Sequence, residues 1–316
     1  MSEIINVNKI PVSLGEQEVV KLHVGRLPSG NRIQIQAHVY RAEKPGPTML
    51  VLAGVHGDEI NGVEIVRRTI EYRMFEKLEM GTVIAIPLLN IYGFINFSRE
   101  VPDGKDVNRS FPGSRAGSLA SRVASTLTKK VLPHIDFGVD FHTGGRSHYN
   151  YPQVRFSKGD ARSEELARAF SAPYLISNKP IAKSLRKTAL DHGKPILVFE
   201  GGENLRFDGF SIEKGLAGLR RLMYHQGMIK QSEKEEKSIL FARTSWIRAP
   251  RSGIFRWSKC SGHKIYKSEP IGVINDPYGQ EEIVIYAPRD AYIIGHNNSS
   301  VVSQGDALYH LGFETY

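Results

Sequence analysis

The residues best placed to do chemistry are His56 and Glu59, the two ends of a His-Gly-Asp-Glu tetrad. The tetrad follows an apolar run at 49–55, which predicts a buried strand, and precedes a stretch of helical character at 62–78. In α/β folds, this end of a strand is where ligands bind. One imidazole nitrogen and one carboxylate can reach a single metal ion there. A third ligand would complete a two-histidine, one-carboxylate set with an open position, which is typical of catalytic zinc.

A candidate for that third ligand is His142, which directly follows the apolar run at 137–141. If both strands belong to one parallel sheet, their carboxyl ends share an edge and His142 can meet the tetrad. Asp140 lies two residues earlier and points the same way, so we expect it to contact the far side of a ligand imidazole.

A carboxylate at a third strand end is the candidate general base. Glu200 follows the apolar run at 195–199 and precedes two glycines, which leave room for a substrate. A bound metal lowers the pKa of water towards ~7. Glu200 could take the proton of that water and later give it to a leaving nitrogen.

The long polar segment at 90–117 supplies candidate substrate contacts. Loops of this length without evident structure are usually functional or disordered. Arginine binds carboxylates through two hydrogen bonds, and asparagine adds a neutral donor. Asn108 and Arg109 are therefore candidates for the substrate carboxylate, and Arg99 for the scissile carbonyl.

Each of these residues, taken alone, also has a plain structural explanation. A His-x-x-Glu pair arises often by chance, and His142 could be an ordinary strand-end histidine. Glu200 could stabilise a helix N-terminus, and Asn108 could form an Asx turn beside a surface arginine. The joint pattern favours chemistry because three strand ends each supply one part of one mechanism.

The elements that must position these residues alternate along the chain, which predicts an α/β fold: a mixed, largely parallel sheet with helices on both faces. A β-hairpin is predicted at 17–42, turning at 28–31. Further strands are predicted at 49–55, 82–87, 137–141 and 195–199, and helices at 62–78, 119–132, 164–170, 184–192 and 212–226.

After about residue 238, helical periodicity gives way to short strands and turns. This change predicts a small, all-β, barrel-like C-terminal domain at 238–316, following a catalytic domain at 1–237. The mixed-charge run at 230–237 is the predicted boundary.

The composition of the 316 residues sets limits on partners. The net charge is +9, but Lys and Arg are dispersed and no nucleic-acid motif accompanies them, so we expect small anionic substrates and no nucleic acid. No apolar run reaches the ~20 residues of a membrane span. The single cysteine, Cys260, excludes an internal disulfide, and a cytoplasmic location is the simplest expectation. Homo-oligomer formation stays open.

Four motifs stand in a fixed order: His-Gly-Asp-Glu at 56–59, Asp-Val-Asn-Arg at 106–109, Phe-His-Thr-Gly at 141–144 and Phe-Glu-Gly-Gly at 199–202. Together they resemble the succinylglutamate desuccinylase/aspartoacylase family, a branch of the zinc carboxypeptidase-like fold. The resemblance covers about residues 45–230 and extends to a C-terminal β domain.

The resemblance implies one zinc ion per chain and hydrolysis of the amide bond of an N-acyl amino acid. The implied zinc ligands are His56, Glu59 and His142, and the implied general base and acid is Glu200. The other implied roles are Arg99 at the oxyanion, Asn108 and Arg109 at the substrate carboxylate, and Arg186 at a second acidic group.

The C-terminal part also resembles a biotinyl/lipoyl carrier barrel, with 249–254 and 287–292 as its two halves. A carrier presents a modified lysine at a hairpin tip, whereas this chain has Asp-Pro-Tyr-Gly at 276–279. We therefore expect no covalently attached cofactor there.

Three functions remain open at this point. The first is a zinc-dependent deacylase or desuccinylase acting on a small N-acyl amino acid. The second is a zinc carboxypeptidase acting on short peptides, and the third is a non-catalytic binding protein on a hydrolase scaffold. The motifs do not choose the acyl group or the amino acid.

Overall fold

The computed structural model describes residues 4–26 and 29–314, and it is an α/β fold. The strands are β1 (Ile4–Val7), β2 (Ile10–Ser13), β3 (Gln17–Arg26), β4 (Arg32–Arg41), β5 (Thr48–Ala53), β6 (Thr82–Ile86), β7 (Phe137–Gly144), β8 (His148–Ser157), β9 (Tyr174–Asn178), β10 (Ile196–Glu203), β11 (Ile239–Arg248), β12 (Gly253–Trp257), β13 (Lys264–Ile265), β14 (Pro270–Asn275), β15 (Glu282–Tyr286), β16 (Ala291–Asn297), β17 (Val301–Val302) and β18 (Ala307–Glu314). The helices are α1 (Ile60–Glu71), α2 (Ile91–Ile95), α3 (Leu119–Lys130), α4 (Ala161–Phe170), α5 (Leu185–Asp191) and α6 (Gly209–His225). Short 3-10 turns lie at Met74–Lys77, Val107–Arg109 and Leu132–His134.

The centre of the main sheet is parallel and brings the predicted strand ends to one level. Strands β6, β5, β7 and β10 lie side by side in that order. Phe141 of β7 lies opposite both Ala53 of β5 and Phe199 of β10, and His142 lies opposite Glu200. The tetrad after β5, His142 and Glu200 therefore share one edge of the sheet.

Outside this centre the sheet is mixed, so the predicted largely parallel arrangement holds only for the central strands. On one side β4 and β3 are antiparallel, and on the other β8 runs antiparallel to β10. The β8 strand was not predicted, because Pro152 in its interior argues against a central strand. The structure accommodates Pro152 where the register between β8 and β10 shifts, between Glu200 and Gly202.

Five strands close into a ring that joins the two halves of the chain. Its pairings run from β8 to β9, β11, β18 and β16, and from β16 back to β8. Two of these strands precede residue 237, so the ring differs from the separate C-terminal barrel that the sequence predicts. Four other C-terminal strands, β15, β14, β12 and β17, form a separate four-stranded sheet. The domain division at residue 237 stays a prediction.

Two hydrophobic cores hold the sheet between its helices. Leu50 and Leu52 of β5 face the core that contains side chains of α3 and α5, whereas Met49 and Val51 face the core under α1, α4 and α6. All six residues of β5 are buried. Its continuous apolar run follows from this burial on both faces.

Several element boundaries differ from the predicted ones. Helix α1 ends at Glu71, because Arg73 adopts a left-handed conformation (φ 54°) before the 3-10 turn. The polar segment at 90–117 contains α2, whose first turn is capped by Asn90, and a 3-10 turn capped by Asp106. The predicted hairpin is present as β3 and β4, but Pro28 of its turn lies outside the described residues. None of the described helices is long and apolar enough to cross a membrane.

Candidate metal centre and active site

Three buried side chains converge at the shared edge of the sheet. One donor atom from each of His56, Glu59 and His142 lies within 4.8 Å of the others. His56 Nδ1 lies 2.8 Å from Glu59 Oε1, and His142 Nδ1 lies 2.7 Å from Glu59 Oε2. The two Nδ1 atoms are 3.2 Å apart. Two imidazole nitrogens and one carboxylate thus point at the same small volume.

The tetrad turn is tightly packed, which fixes the directions of His56 and Glu59. A Cβ at Gly57 would lie 1.9 Å from the carbonyl carbon of Gly93, so only glycine fits without a shift of backbone. Glu59 occupies the N-cap position of α1 but makes no side-chain capping bond. Instead its Oε2 accepts a hydrogen bond from the backbone N–H of Thr143 (3.1 Å), which ties it to β7.

The far nitrogen of each histidine contacts a carboxylate. His142 Nε2 lies 2.8 Å from Asp140 Oδ2, the contact that the sequence predicts, and His56 Nε2 lies 3.1 Å from Asp106 Oδ1. A carboxylate beside Nε2 favours a proton there and leaves the Nδ1 lone pair directed at the centre. Asp106 was not predicted as a site residue; its side chain also caps the 3-10 turn by accepting a hydrogen bond from the backbone N–H of Asn108.

The electrostatics of the triad favour a positive charge between its members. Burial lowers the pKa of His142, but the carboxylates of Asp140 and Glu59 outweigh it and raise that pKa well above the usual value. Burial raises the pKa of Glu59, but the neighbouring charges of His56 and His142 hold it well below the usual range. A donor set of two nitrogens and one carboxylate, each oriented by a neighbour, fits zinc and similar divalent metals.

Arg99 lies beside the triad. Its Nη1 is 3.0 Å from Glu59 Oε1 and 3.1 Å from His56 Nδ1, and its Nε and Nη2 donate to Asp106 Oδ2 at 3.2 and 2.9 Å. Burial lowers the pKa of Arg99, but the charges of Glu59 and Asp106 outweigh burial and raise that pKa above its usual value. Arg99 therefore stays a cation. A fixed guanidinium therefore faces the point where the triad converges.

Glu200 lies opposite His142 on the neighbouring strand and has a different setting from Glu59. Its Oε2 accepts a hydrogen bond from Asn150 Nδ2 at 2.7 Å, and its Oε1 lies 3.2 Å from Arg155 Nη1. The side chain of Glu200 is 14% exposed, against 2% for Glu59. Asn150 and Arg155 were not predicted as site residues, because both lie on strand β8, which has no clear strand pattern in the sequence.

The three remaining predicted residues have distinct surroundings. Asn108 Oδ1 accepts from the backbone N–H of Leu185 (2.9 Å), which leaves its amide nitrogen as the donor. Arg109 is exposed, and its Nη1 donates to the Asn108 carbonyl at 2.7 Å. Arg186 is buried, and burial together with the charge of Arg155 lowers its pKa to about 10.

A cavity of about 310 Å³ joins these residues. This volume is at the lower end of the range for small-molecule sites. The C-terminal strands contribute Trp246 and Ala307, and Trp246 is stacked on His310 with ring centres 4.3 Å apart. All the site residues predicted from the sequence line this cavity: His56, Glu59, Arg99, Asn108, Arg109, His142, Arg186 and Glu200.

The fold and the site define a class: an α/β protein with a buried two-histidine, one-carboxylate centre at the carboxyl ends of parallel strands, opening into a small arginine-lined cavity. Within that class, the chain belongs to the succinylglutamate desuccinylase/aspartoacylase family. The model of that family's catalytic domain matches residues 45–226.

Known proteins and solved structures are similar to this chain over most of its length. N-alpha-acetyl-L-2,4-diaminobutyric acid deacetylase from Halomonas elongata is 26% identical over 281 residues, which cover 83% of this chain and 81% of that protein. The succinylglutamate desuccinylase/aspartoacylase structure from Rhodobacter sphaeroides has a TM-score of 0.85 at 24% identity and covers 100% of both chains. The product-bound ectoine utilization protein EutE (DoeB) from Ruegeria pomeroyi has a TM-score of 0.83 at 24% identity, covering 94% of both chains.

Proposed function

We propose that this protein is a zinc-dependent amidohydrolase that cleaves the amide bond of a small N-acyl amino acid. The observation that carries the proposal is the meeting of His56, Glu59, His142 and Glu200 in one cavity. Membership of a desuccinylase/aspartoacylase family and the relative named as a deacetylase support the same reaction type.

In this proposal His56, Glu59 and His142 hold one zinc ion per chain. Bound there, the metal would lower the pKa of a water molecule and polarise the substrate carbonyl. Glu200 takes a proton from the attacking water at a carboxylate oxygen and passes it to the leaving amide nitrogen. Asn150 and Arg155 fix the direction of that carboxylate.

The cavity arginines have separate roles in the proposed reaction. Arg99 donates hydrogen bonds to the carbonyl oxygen as negative charge develops on it. Asn108 and Arg109 bind the substrate carboxylate, and Arg186 faces a second acidic group. A cavity of about 310 Å³ favours a small acyl amino acid over the peptides of a carboxypeptidase. A cytoplasmic location stays a prediction, and homo-oligomer formation stays open.

A substrate panel tests the proposed function. Protein reconstituted with zinc is assayed against N-acyl amino acids and short peptides, with release of free amine as the readout and bound zinc measured in parallel. We expect one zinc per chain, turnover of an acyl amino acid, and loss of both on chelation. Turnover of peptides alone would favour the carboxypeptidase, and failure to retain any divalent metal would favour the non-catalytic scaffold.

A further inference from the structure

Strand β16, from the C-terminal half of the chain, passes directly beside the side chain that holds Glu200. In the pairing of β16 with β8, Gly295 lies opposite Asn150. Asn150 is 6% exposed, and its Nδ2 donates to Glu200 Oε2 at 2.7 Å. Residues directly opposite each other on antiparallel strands point to the same face of a sheet. A side chain at position 295 would therefore stand on the same face as Asn150.

The amide of Asn150 occupies the space that such a side chain would need. A Cβ on Gly295 would lie 2.7 Å from Asn150 Oδ1, closer than Cβ atoms approach other atoms in proteins. It would lie 3.1 Å from the carbonyl oxygen of Tyr149 and 3.7 Å from His310 Cβ, so the amide oxygen is the nearest obstacle. The φ of Gly295 lies outside the left-handed range. The space beside Asn150, and not the backbone conformation, therefore favours glycine here.

The amide is the part that would have to move if position 295 carried a side chain. Strand β16 is paired with β8 on one side and with β18 on the other, so the backbone of Gly295 is held from both sides. The amide is the end of a side chain and can turn about its own bonds. Turning it would take Nδ2 away from Glu200, whose other oxygen lies 3.2 Å from Arg155 Nη1. A small change on β16 would thereby reach the proposed general base.

We propose that Gly295 is a positioning residue for the general base: because it carries no side chain, Asn150 can hold one oxygen of Glu200. Gly295 is not among the residues that line the cavity, so it acts through Asn150 and not by contact with the substrate. The inference rests on the proposed function and deepens it, because it assigns a strand of the C-terminal half a part in the proton transfer.

Gly295→Ala tests this role by a split between kcat and KM. We expect zinc content and KM to stay at their wild-type values while kcat falls about tenfold or more, the effect of losing one hydrogen bond to a charged group. The loss should be smaller than that of Glu200→Gln, because Arg155 still holds the other carboxylate oxygen.

The matched control is Gly312→Ala on β18, in the same ring of strands. A Cβ there would also lie 2.7 Å from a side chain, but that side chain is Phe241. This variant should lower the melting temperature and leave kcat unchanged. A double substitution separates contact with Asn150 from general crowding. In an Asn150→Ala protein, Gly295→Ala should not lower kcat further, because the amide that it displaces is already absent.

The proposal is overturned if Gly295→Ala keeps the wild-type kcat, if Gly312→Ala lowers kcat equally, or if the effects at positions 150 and 295 simply add. Should Gly295→Ala fail to fold, the protein that carries both Asn150→Ala and Gly295→Ala should fold and have the kcat of Asn150→Ala. Failure of this double variant to fold would mean that the obstacle is the backbone, and would contradict the inference.

A measurement without turnover keeps this inference separate from the proposed reaction. If the wild-type protein cleaves no substrate, the proposed reaction fails by itself. The NMR signal of the Asn150 side-chain amide, assigned by its loss in Asn150→Ala, still reports the contact with Glu200. The signal should shift in Gly295→Ala and stay in place in Gly312→Ala. An unchanged signal in Gly295→Ala would show that the amide has not moved, and the inference would be wrong.

Discussion

The two glutamates of the site differ in their neighbours, and this difference separates their roles. Glu59 is enclosed by two imidazoles and Arg99, with 2% of its side chain exposed. Such a carboxylate is held in its charged form and suits a metal ligand. Glu200 lies on the cavity wall, against one amide and one guanidinium, where it can exchange a proton with a substrate.

Substitutions of Glu200 and of the metal ligand His142 should therefore separate turnover from metal binding. We expect Glu200→Gln to keep its zinc and to lose about 10²- to 10⁴-fold in kcat, because the amide cannot accept the proton. His142→Ala should lose the metal itself. Zinc content and kcat measured on the same preparations check both. A zinc-loaded Glu200→Gln protein with an unchanged rate would contradict the assigned base.

The carboxylates behind the ligand histidines should tune metal affinity. Asp140 and Asp106 each contact the far nitrogen of one ligand, so Asp140→Asn and Asp106→Asn should weaken zinc binding about 10- to 100-fold. Competition with a chromogenic chelator measures the change. Asp160→Asn is the control, because Asp160 caps α4 outside the cavity lining and asparagine also caps helices. Equal affinity in all three variants would exclude this role.

At the scale of elements, the sequence predicts those strands and site residues that short local patterns of residues mark. The apolar run of β5 and the polar residues near the carboxyl ends of β7 and β10 are local signals, and together they locate the metal centre. Strand β8 is different, since Pro152 obscures its pattern and its partner β16 lies far along the chain. Arg155 and Asn150 could not be assigned to the site without that long-range pairing.

Close packing between the tetrad turn and α2 should fix the positions of the metal ligands His56 and Glu59. A Cβ at Gly57 would overlap the backbone of Gly93, so Gly57→Ala should destabilise the fold by roughly 1–3 kcal/mol and displace His56 and Glu59. The melting temperature and zinc stoichiometry measure these effects. Gly209→Ala is the control, because a Cβ there meets no atom within 4 Å and the residue begins α6. If both variants retain zinc with wild-type stability, the turn tolerates a side chain and the packing argument is wrong.

At the scale of the whole molecule, the five-strand ring joins the two halves through buried polar residues. His296 of β16 and His310 of β18 are 5% and 6% exposed. Burial lowers the pKa of His296 to about 4 and that of His310 to about 3. His296 Nδ1 also accepts a hydrogen bond from the backbone N–H of Ser261 (3.1 Å). A proton on Nδ1 would point at that N–H group and break the hydrogen bond. Both histidines are therefore neutral in the folded ring.

This neutrality makes the ring sensitive to acid. In the unfolded chain these histidines have pKa values near ~6.5, so the unfolded state binds more protons as the pH falls below that value, and folding stability decreases. The loss is complete only below the folded pKa values of about 4 and 3. Between about pH 6.5 and 5, each histidine should lower the folding stability by roughly 1.5 kcal/mol. Chemical unfolding of wild-type protein, His296→Gln and His310→Gln across this range measures the slope, and contributions from the metal ligands cancel in the comparison. Each variant should show a shallower loss than the wild-type protein, and identical slopes would mean that the ring does not bury these histidines in their neutral form.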